Sequence, residues 1–299
     1  VAAGGYVWWY VDALSEDGRF GLTLIAFIGS VFSPYYAMSG RRDPSDHCAI
    51  NVALYGASGR RWAMTERRRT ALRRDADTLA IGPSALTWDG DGLTVDFDEL
   101  GAPLPQRLRG RVRLTPRALT RRRFDLDPAG RHSWRPIAPR AEVTVELDSP
   151  ACAWRGEGYF DTNAGVEPLE TAFVDWDWSR AHRRDDTLLF YDVARRDGGA
   201  TNLALRIDRD GAMTPVDAPD ALALKPTLWR LPRRLRADPD GLRDPGANLE
   251  DTPFYARAQL EGRVGGEAAS IVHETLSLDR LRSPVVRAML PFRMPRIFW

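Results

Sequence analysis

Trp88-Asp89-Gly90-Asp91-Gly92-Leu93-Thr94-Val95-Asp96-Phe97-Asp98-Glu99 decides the fold. From Leu93 onward apolar and polar residues alternate, the two-residue period of a strand with one buried face. The Asp-Gly-Asp-Gly run before it supplies the turn residues of a hairpin. The same period recurs outward from this point. Val112 and Leu114 alternate with Arg111 and Arg113, and Val143, Val145 and Leu147 with Thr144 and Glu146. Ala153 to Phe160, Leu188 to Val193, Leu203 to Ile207, Met213 to Val216, Gln259 to Val264 and Ala269 to Leu278 read as further strands. Turns fall at Asp197-Gly198-Gly199, Asp210-Gly211 and Gly265-Gly266. Short strands about ten residues apart with Gly/Pro turns predict an all-β protein, a sandwich or barrel.

Helical periodicity is sparse; Pro168–Trp176 and Ser283–Leu290 are the short-helix candidates. Pro232–Pro253, rich in Pro, Asp and Gly, reads as a long loop, and Pro136–Pro139 as a weaker break near mid-chain. The uncharged run Phe20–Gly40 is long enough to span a bilayer. Gly29-Ser30 and Ser33-Pro34 interrupt it, however, so Gly21–Phe32 reads as a buried strand followed by a loop. The chain starts at Val1 without Met or a basic leader, which suggests a removed preceding segment.

With 299 residues, 43% hydrophobic and 28% charged, the chain can bury a large core and is not intrinsically disordered. Its 42 basic and 41 acidic residues give a net charge of +1, which excludes the global basic excess of a nucleic-acid binder. Lys225 is the only lysine, a weak Schiff-base candidate. Cys48 and Cys152 are too few for a disulfide scaffold. The four histidines His47, His132, His182 and His273 show no metal-ligand spacing, so no metal site is expected and both thiols read as free. Seven arginines crowd Arg60–Arg74. Leu278–Trp299 interleaves Arg280, Arg282, Arg287, Arg293 and Arg296 with Val285, Val286, Met289, Leu290, Phe292, Ile297, Phe298 and Trp299. Either segment suits the interface of an anionic bilayer, or a solvated charged face.

Chemistry concentrates between His132-Ser133-Trp134 and Trp176-Asp177-Trp178, around Gly158-Tyr159-Phe160-Asp161. On a strand Tyr159 and Asp161 share one face. A carboxyl among phenol and indole rings is partly desolvated, which raises its pKa and suits a proton donor. Asp161-Thr162-Asn163-Ala164-Gly165 reads equally well as a turn, and His132 as a structural hydrogen-bonding residue. Asp161 with Glu167 or Glu170 would also make a glycosidase pair, with the aromatics as a sugar platform. No Gly-x-Ser-x-Gly or Gly-rich phosphate loop is present.

Several stretches carry a resemblance: Gly4–Leu14, Phe27–Tyr36, Asp46–Tyr55, Trp62–Arg67, His132–Pro139 and Tyr159–Ala181. In these the chain resembles the carotenoid 1,2-hydratases (hydroxyneurosporene synthases) of purple photosynthetic bacteria. The match is dense over the first two thirds and looser over the last hundred residues. It implies two lipocalin-like β-barrel or sandwich halves with few short helices, here expected at 1–150 and 151–299. It also implies a hydro-lyase that needs no cofactor and adds water to the terminal C1–C2 double bond of acyclic carotenoids such as lycopene and neurosporene. His132 and Trp134 stand in the family's His-x-Trp motif, Tyr159 and Asp161 in its Gly-Tyr-x-Asp motif, and these four are the expected catalytic residues. Trp154, Trp176 and Trp178 are expected at the substrate. A bilayer-dissolved substrate implies peripheral contact with the membrane, on the cytoplasmic side of the photosynthetic inner membrane. A non-catalytic lipocalin-like carotenoid carrier is the competing reading.

Overall fold

The computed structural model describes residues 1–57, 59–243 and 248–297. The chain divides into two compact units, Val1–Pro168 with Arg287–Trp299, and Leu169–Val286.

In the first unit the strands are β1 (Tyr6–Ser15), β2 (Phe20–Ile28), β3 (Cys48–Gly56), β4 (Arg61–Arg67), β5 (Leu72–Arg74) and β6 (Thr78–Ile81). They are followed by β7 (Ser84–Trp88), β8 (Leu93–Leu100), β9 (Arg107–Pro116), β10 (Phe124–Asp125), β11 (His132–Ser149) and β12 (Ala151–Gly165). All belong to one sheet, ordered β4-β3-β2-β1-β12-β11-β9-β8-β7-β6-β5, with β10 on β11. β4 comes back against β8 and β9, so the sheet curls into a nearly closed barrel. Its interior is filled by one face of alternating residues, among them Val11, Leu24, Ile50, Val52, Val95, Val112, Val145 and Phe160. On the outer face of β8 and β9 the alternate positions form a charge ladder, Asp96 with Arg111 at 2.6 Å and Asp98 with Arg107 at 2.5 Å, extended by Asp89 of the turn before β8 with Arg113. Opposite charges across neighbouring strands support pairing.

The second unit holds β13 (Phe173–His182), β14 (Thr187–Arg195), β15 (Ala200–Ile207), β16 (Met213–Pro215), β17 (Ala221–Leu224) and β18 (Arg233–Arg236). It closes with β19 (Asn248–Asp251), β20 (Tyr255–Val264) and β21 (Glu267–Ser277). Seven of these form a sheet ordered β16-β15-β14-β13-β21-β20-β19, and β17 pairs with β18. The α-helices are short: α1 (Pro34–Met38), α2 (Leu169–Ala172), α3 (Leu278–Leu281) and α4 (Pro284–Arg293). Among the described residues no helix is long and apolar enough to cross a membrane. The all-β class and its few short helices are therefore as the alternation predicts.

The boundaries differ from the sequence reading in four places. The division expected at 150/151 falls in the turn between β11 and β12, which pair along nearly their whole length; the units part after Pro168, where that hairpin is complete. Pro136–Pro139 is not a break but an irregularity inside β11, where the register against β12 shifts. Proline lacks a ladder donor and is tolerated at such bulges. The loop expected at Pro232–Pro253 contains β18 and β19; residues 244–247 of it lie outside the described residues. The helix expected over Pro168–Trp176 shrinks to α2, because Phe173 already enters β13. Cys48 and Cys152 are free.

Candidate active site

The turn reading of Asp161–Gly165 is overturned: all five residues belong to β12, between β1 and β11. Tyr6, Trp8, Tyr10 and Asp12 stand opposite Gly165, Asn163, Asp161 and Tyr159 on β1. His132 and Trp134 stand opposite Gly165 and Asn163 on β11. These alternate positions point away from the apolar face that fills the barrel, as the two-residue period requires. An outward-facing set would ordinarily be solvated, yet every one of these side chains is buried; Asp161 is 4% exposed and His132, Asp12 and Tyr159 are 0%.

Trp134 Nε1 donates to Asp161 Oδ2 at 2.8 Å, and the Tyr159 hydroxyl donates to the same oxygen at 2.9 Å. Both lone pairs of Oδ2 are thereby used, so a proton carried by Asp161 resides on Oδ1. Burial, and then the neighbouring Asp161, hold the Tyr159 phenol well above the ordinary tyrosine range, which keeps it a donor. The Tyr10 hydroxyl donates to Asp12 Oδ2 at 3.1 Å, and the Tyr10 and Tyr159 rings meet edge to face at 6.1 Å. On β11 the His132 Nδ1 lies 2.9 Å from the Tyr6 hydroxyl and its Nε2 lies 3.4 Å from Glu167 Oε1. Burial pushes the imidazole pKa down, against the opposing pull of Asp127 and Glu167, and so favours neutral His132. The Tyr6 ring stacks between Trp8, at 5.0 Å, and His132, at 5.8 Å.

The structure thus brings His132, Trp134, Tyr159 and Asp161 onto one face, and adds Tyr6, Tyr10 and Asp12, which sequence reasoning did not single out. The signal was present: Tyr6-x-Trp8-x-Tyr10-x-Asp12 places an aromatic or acidic residue at every second position of a strand. Glu167 reaches the site through His132 and is ion-paired to Arg131 at 2.6 Å. Trp154 is not part of the group. It lies on the opposite face of β12, packed against the barrel interior and stacked 6.5 Å from Phe20. Trp176 and Trp178 belong to β13 of the second unit, both buried, with Trp176 edge-on to Phe173 and Tyr191. Among the described residues no cluster of three or more His, Cys, Asp or Glu side chains could hold a metal ion.

This arrangement, a buried carboxyl gripped by an indole and a phenol, with a neutral imidazole further along the same face, can donate a proton and shelter a cation. Known proteins share the chain's pattern. The acyclic carotenoid 1,2-hydratase of Thiocapsa roseopersicina is 54% identical over 301 residues, covering 99% of this chain and 74% of that protein. The acyclic carotenoid 1,2-hydratase of Rubrivivax gelatinosus is 51% identical over 302 residues, with the same coverage. The solved structure of CghA with Sch210972 is 14% identical, matches with a TM-score of 0.58, and covers 93% of this chain and 89% of that one; it is a likeness of fold. The model of the family described as carotenoid hydratase CrtC matches residues 24–298, and the chain belongs to that family.

Proposed function

We propose that the protein is an acyclic carotenoid 1,2-hydratase and that Asp161 is its acid. The observation that carries this reading is the carboxyl of Asp161, buried and held through one oxygen by Trp134 and Tyr159. An isolated trisubstituted alkene is attacked by water only after protonation. Asp161 delivers the proton from Oδ1 to C2, which leaves a tertiary cation at C1. The Trp134 and Tyr159 rings face that charge, and a desolvated cation over an aromatic face gains about 2 kcal/mol. Water adds at C1, and neutral His132 takes the released proton. Return of that proton to Asp161 closes the cycle. Alkene and water together balance the product alcohol in atoms and electrons, so the step calls for no oxidant or reductant.

A wholly apolar polyene resides in a bilayer, and the reading therefore includes work at the cytoplasmic surface of the inner membrane. α4 supports this contact. Val285, Met289 and Phe292, spaced i, i+4, i+7, are 70%, 43% and 72% exposed along one stripe, with exposed Arg282 and Arg293 near its ends.

The test is incubation with lycopene in liposomes in H2-18O, without added cofactor. Label is expected in a hydroxylated product from the native chain and none from Asp161→Asn, whose amide oxygen still accepts from Trp134 and Tyr159. Substantial activity in Asp161→Asn would remove the acid from this residue. A stoichiometric coloured complex with no product would make the protein a carrier.

A further inference from the structure

In the second unit the hairpin of β17 and β18 ends in the loop Lys225-Pro226-Thr227-Leu228-Trp229-Arg230-Leu231-Pro232. Its two central residues are large and apolar, yet Leu228 is 93% exposed and Trp229 49%. Thr227 and Leu231 on either side are buried and anchor the base. Arg230 has a φ of 56°, in the left-handed region that residues with a side chain rarely adopt. The loop's backbone is bonded by protein at most of its polar groups. Leu228 N donates to Asp251 Oδ2 at 2.8 Å, Arg230 N to Thr227 O at 2.8 Å, and Leu231 N to Thr227 Oγ1 at 3.1 Å. Arg280 donates from Nη1 to Trp229 O at 2.6 Å and from Nη2 to Arg230 O at 2.9 Å. Arg233 Nη2 donates to Lys225 O at 2.6 Å. Pro226 and Pro232 bring no N–H to satisfy. An exposed turn in water needs no such bracing, because solvent bonds its amides and carbonyls. A loop that leaves water does need it, since irregular backbone enters a lipid phase only with its polar groups already bonded.

We propose that the Leu228–Trp229 tip inserts into the surface of an anionic bilayer and gives the second unit a membrane contact of its own. This rests on the reading that the protein works at a membrane, and adds to it a site that shares no residue with α4. Tryptophan, an apolar ring with one N–H, suits the headgroup level, and leucine the acyl boundary beyond it. Lys225 and Arg230 are exposed beside the tip and complement anionic headgroups. The acid bonded to the loop, Asp251, turns its Oδ2 to the Leu228 amide instead of outward. A protein partner fits this tip less well. Two protruding side chains offer far less than the roughly 800 Å² that each side gives to a stable interface, whereas insertion into lipid requires no matching surface.

The test needs no substrate. Leu228→Cys, made with Cys152→Ser so that buried Cys48 is the only other thiol, carries an environment-sensitive fluorophore at the tip. Vesicles of mixed phosphatidylcholine and phosphatidylglycerol are expected to shift its emission to the blue, and lipids brominated on the acyl chain to quench it. Leu228→Asp with Trp229→Ser alters only exposed side chains, so the unfolding midpoint should stay near native while vesicle affinity falls about tenfold or more. A label that stays unshifted and unquenched on vesicles that sediment the chain overturns the insertion and leaves the membrane reading standing. A native chain that does not sediment with these vesicles removes both. A blue shift that grows with protein concentration in the absence of lipid makes the tip a contact between copies and overturns the proposal as well. Failure of the hydratase reading shows separately, as absence of labelled product from detergent-dispersed lycopene.

Discussion

Gly165 is glycine because of what stands over it. A Cβ at this position would lie 2.5 Å from a ring carbon of Tyr6 and 2.6 Å from His132 Nδ1. The missing side chain is the space in which Tyr6 and His132 meet. Gly165→Ala is expected to push the pair apart at a cost of about 1–3 kcal/mol in stability, the usual penalty of an overpacked interior. The larger effect falls on turnover: displacing a reacting group by about 1 Å costs on the order of a hundredfold in kcat. Urea melts and turnover of lycopene by the same preparation check both, and a variant with native kcat would show that the His132 position is not critical. The sequence disclosed these residues unevenly. His132, Trp134, Tyr159 and Asp161 were readable because two short motifs carry them. Tyr6 stands in a visible alternation of aromatic residues, but that alternation does not report that β1 and β11 flank β12, which brings Tyr6 to a partner 126 residues away. Trp154, expected at the substrate, packs against the barrel interior, on the other face of β12 from Asp161 as strand parity requires.

The C-terminal segment shows how an element divides its residues between two tasks. Arg296 is not offered to a surface. Its side chain is 6% exposed, it binds Asp46 at 2.8 Å and Glu66 more closely, and it touches His47. Its backbone neighbours bond Glu66 on both sides, Pro295 O accepting from Glu66 N and Ile297 N donating to Glu66 O, so the segment is stitched to the edge of β4. Arg293 lies over the Trp62 ring at 4.8 Å. Arginines of the Arg60–Arg74 cluster are likewise engaged: Arg67 is buried in a two-pronged pair with Glu99, and Arg74 covers Trp9. Composition could not separate these from solvated arginines, since the same residue serves both and the partners are distant in sequence. Arg296→Ala leaves buried Glu66 with His47 Nδ1, 2.8 Å away, as its remaining side-chain partner, and a loss of about 3 kcal/mol in urea unfolding is expected. Arg111→Ala, which breaks an exposed rung of the β8–β9 ladder, is the control and should change stability far less. Equal effects would mean that the C-terminal attachment contributes no more than a surface pair. Phe298 and Trp299, part of the same expected interfacial segment, lie outside the described residues.

At the scale of the whole molecule, the chain returns at its end to the unit in which it began: Arg287–Trp299 belongs with Val1–Pro168. No local pattern announces such a return, whereas the all-β class was readable from alternation repeated along the chain. α4 lies at this return, and its two stripes differ. Val286 and Leu290 are buried, which holds the helix in place, whereas Val285, Met289 and Phe292 face outward. An exposed apolar stripe bordered by arginines loses free energy to water and regains it at an anionic bilayer, where the arginines add attraction that salt screens. Replacing Met289 and Phe292 together by Asp changes residues that are already exposed, so the unfolding midpoint should stay near native. Burial of a single large apolar side chain amounts to about 1.5–3 kcal/mol. Affinity for vesicles of mixed neutral and anionic lipid should therefore fall by about tenfold or more in a sedimentation assay, and native binding should weaken as salt rises. Hydration of lycopene held in those vesicles should fall in parallel, while hydration of detergent-dispersed lycopene should persist, because the Asp161 site is untouched. Unchanged sedimentation would place the contact elsewhere on the protein. A parallel loss with dispersed substrate would show that α4 serves the site rather than the membrane.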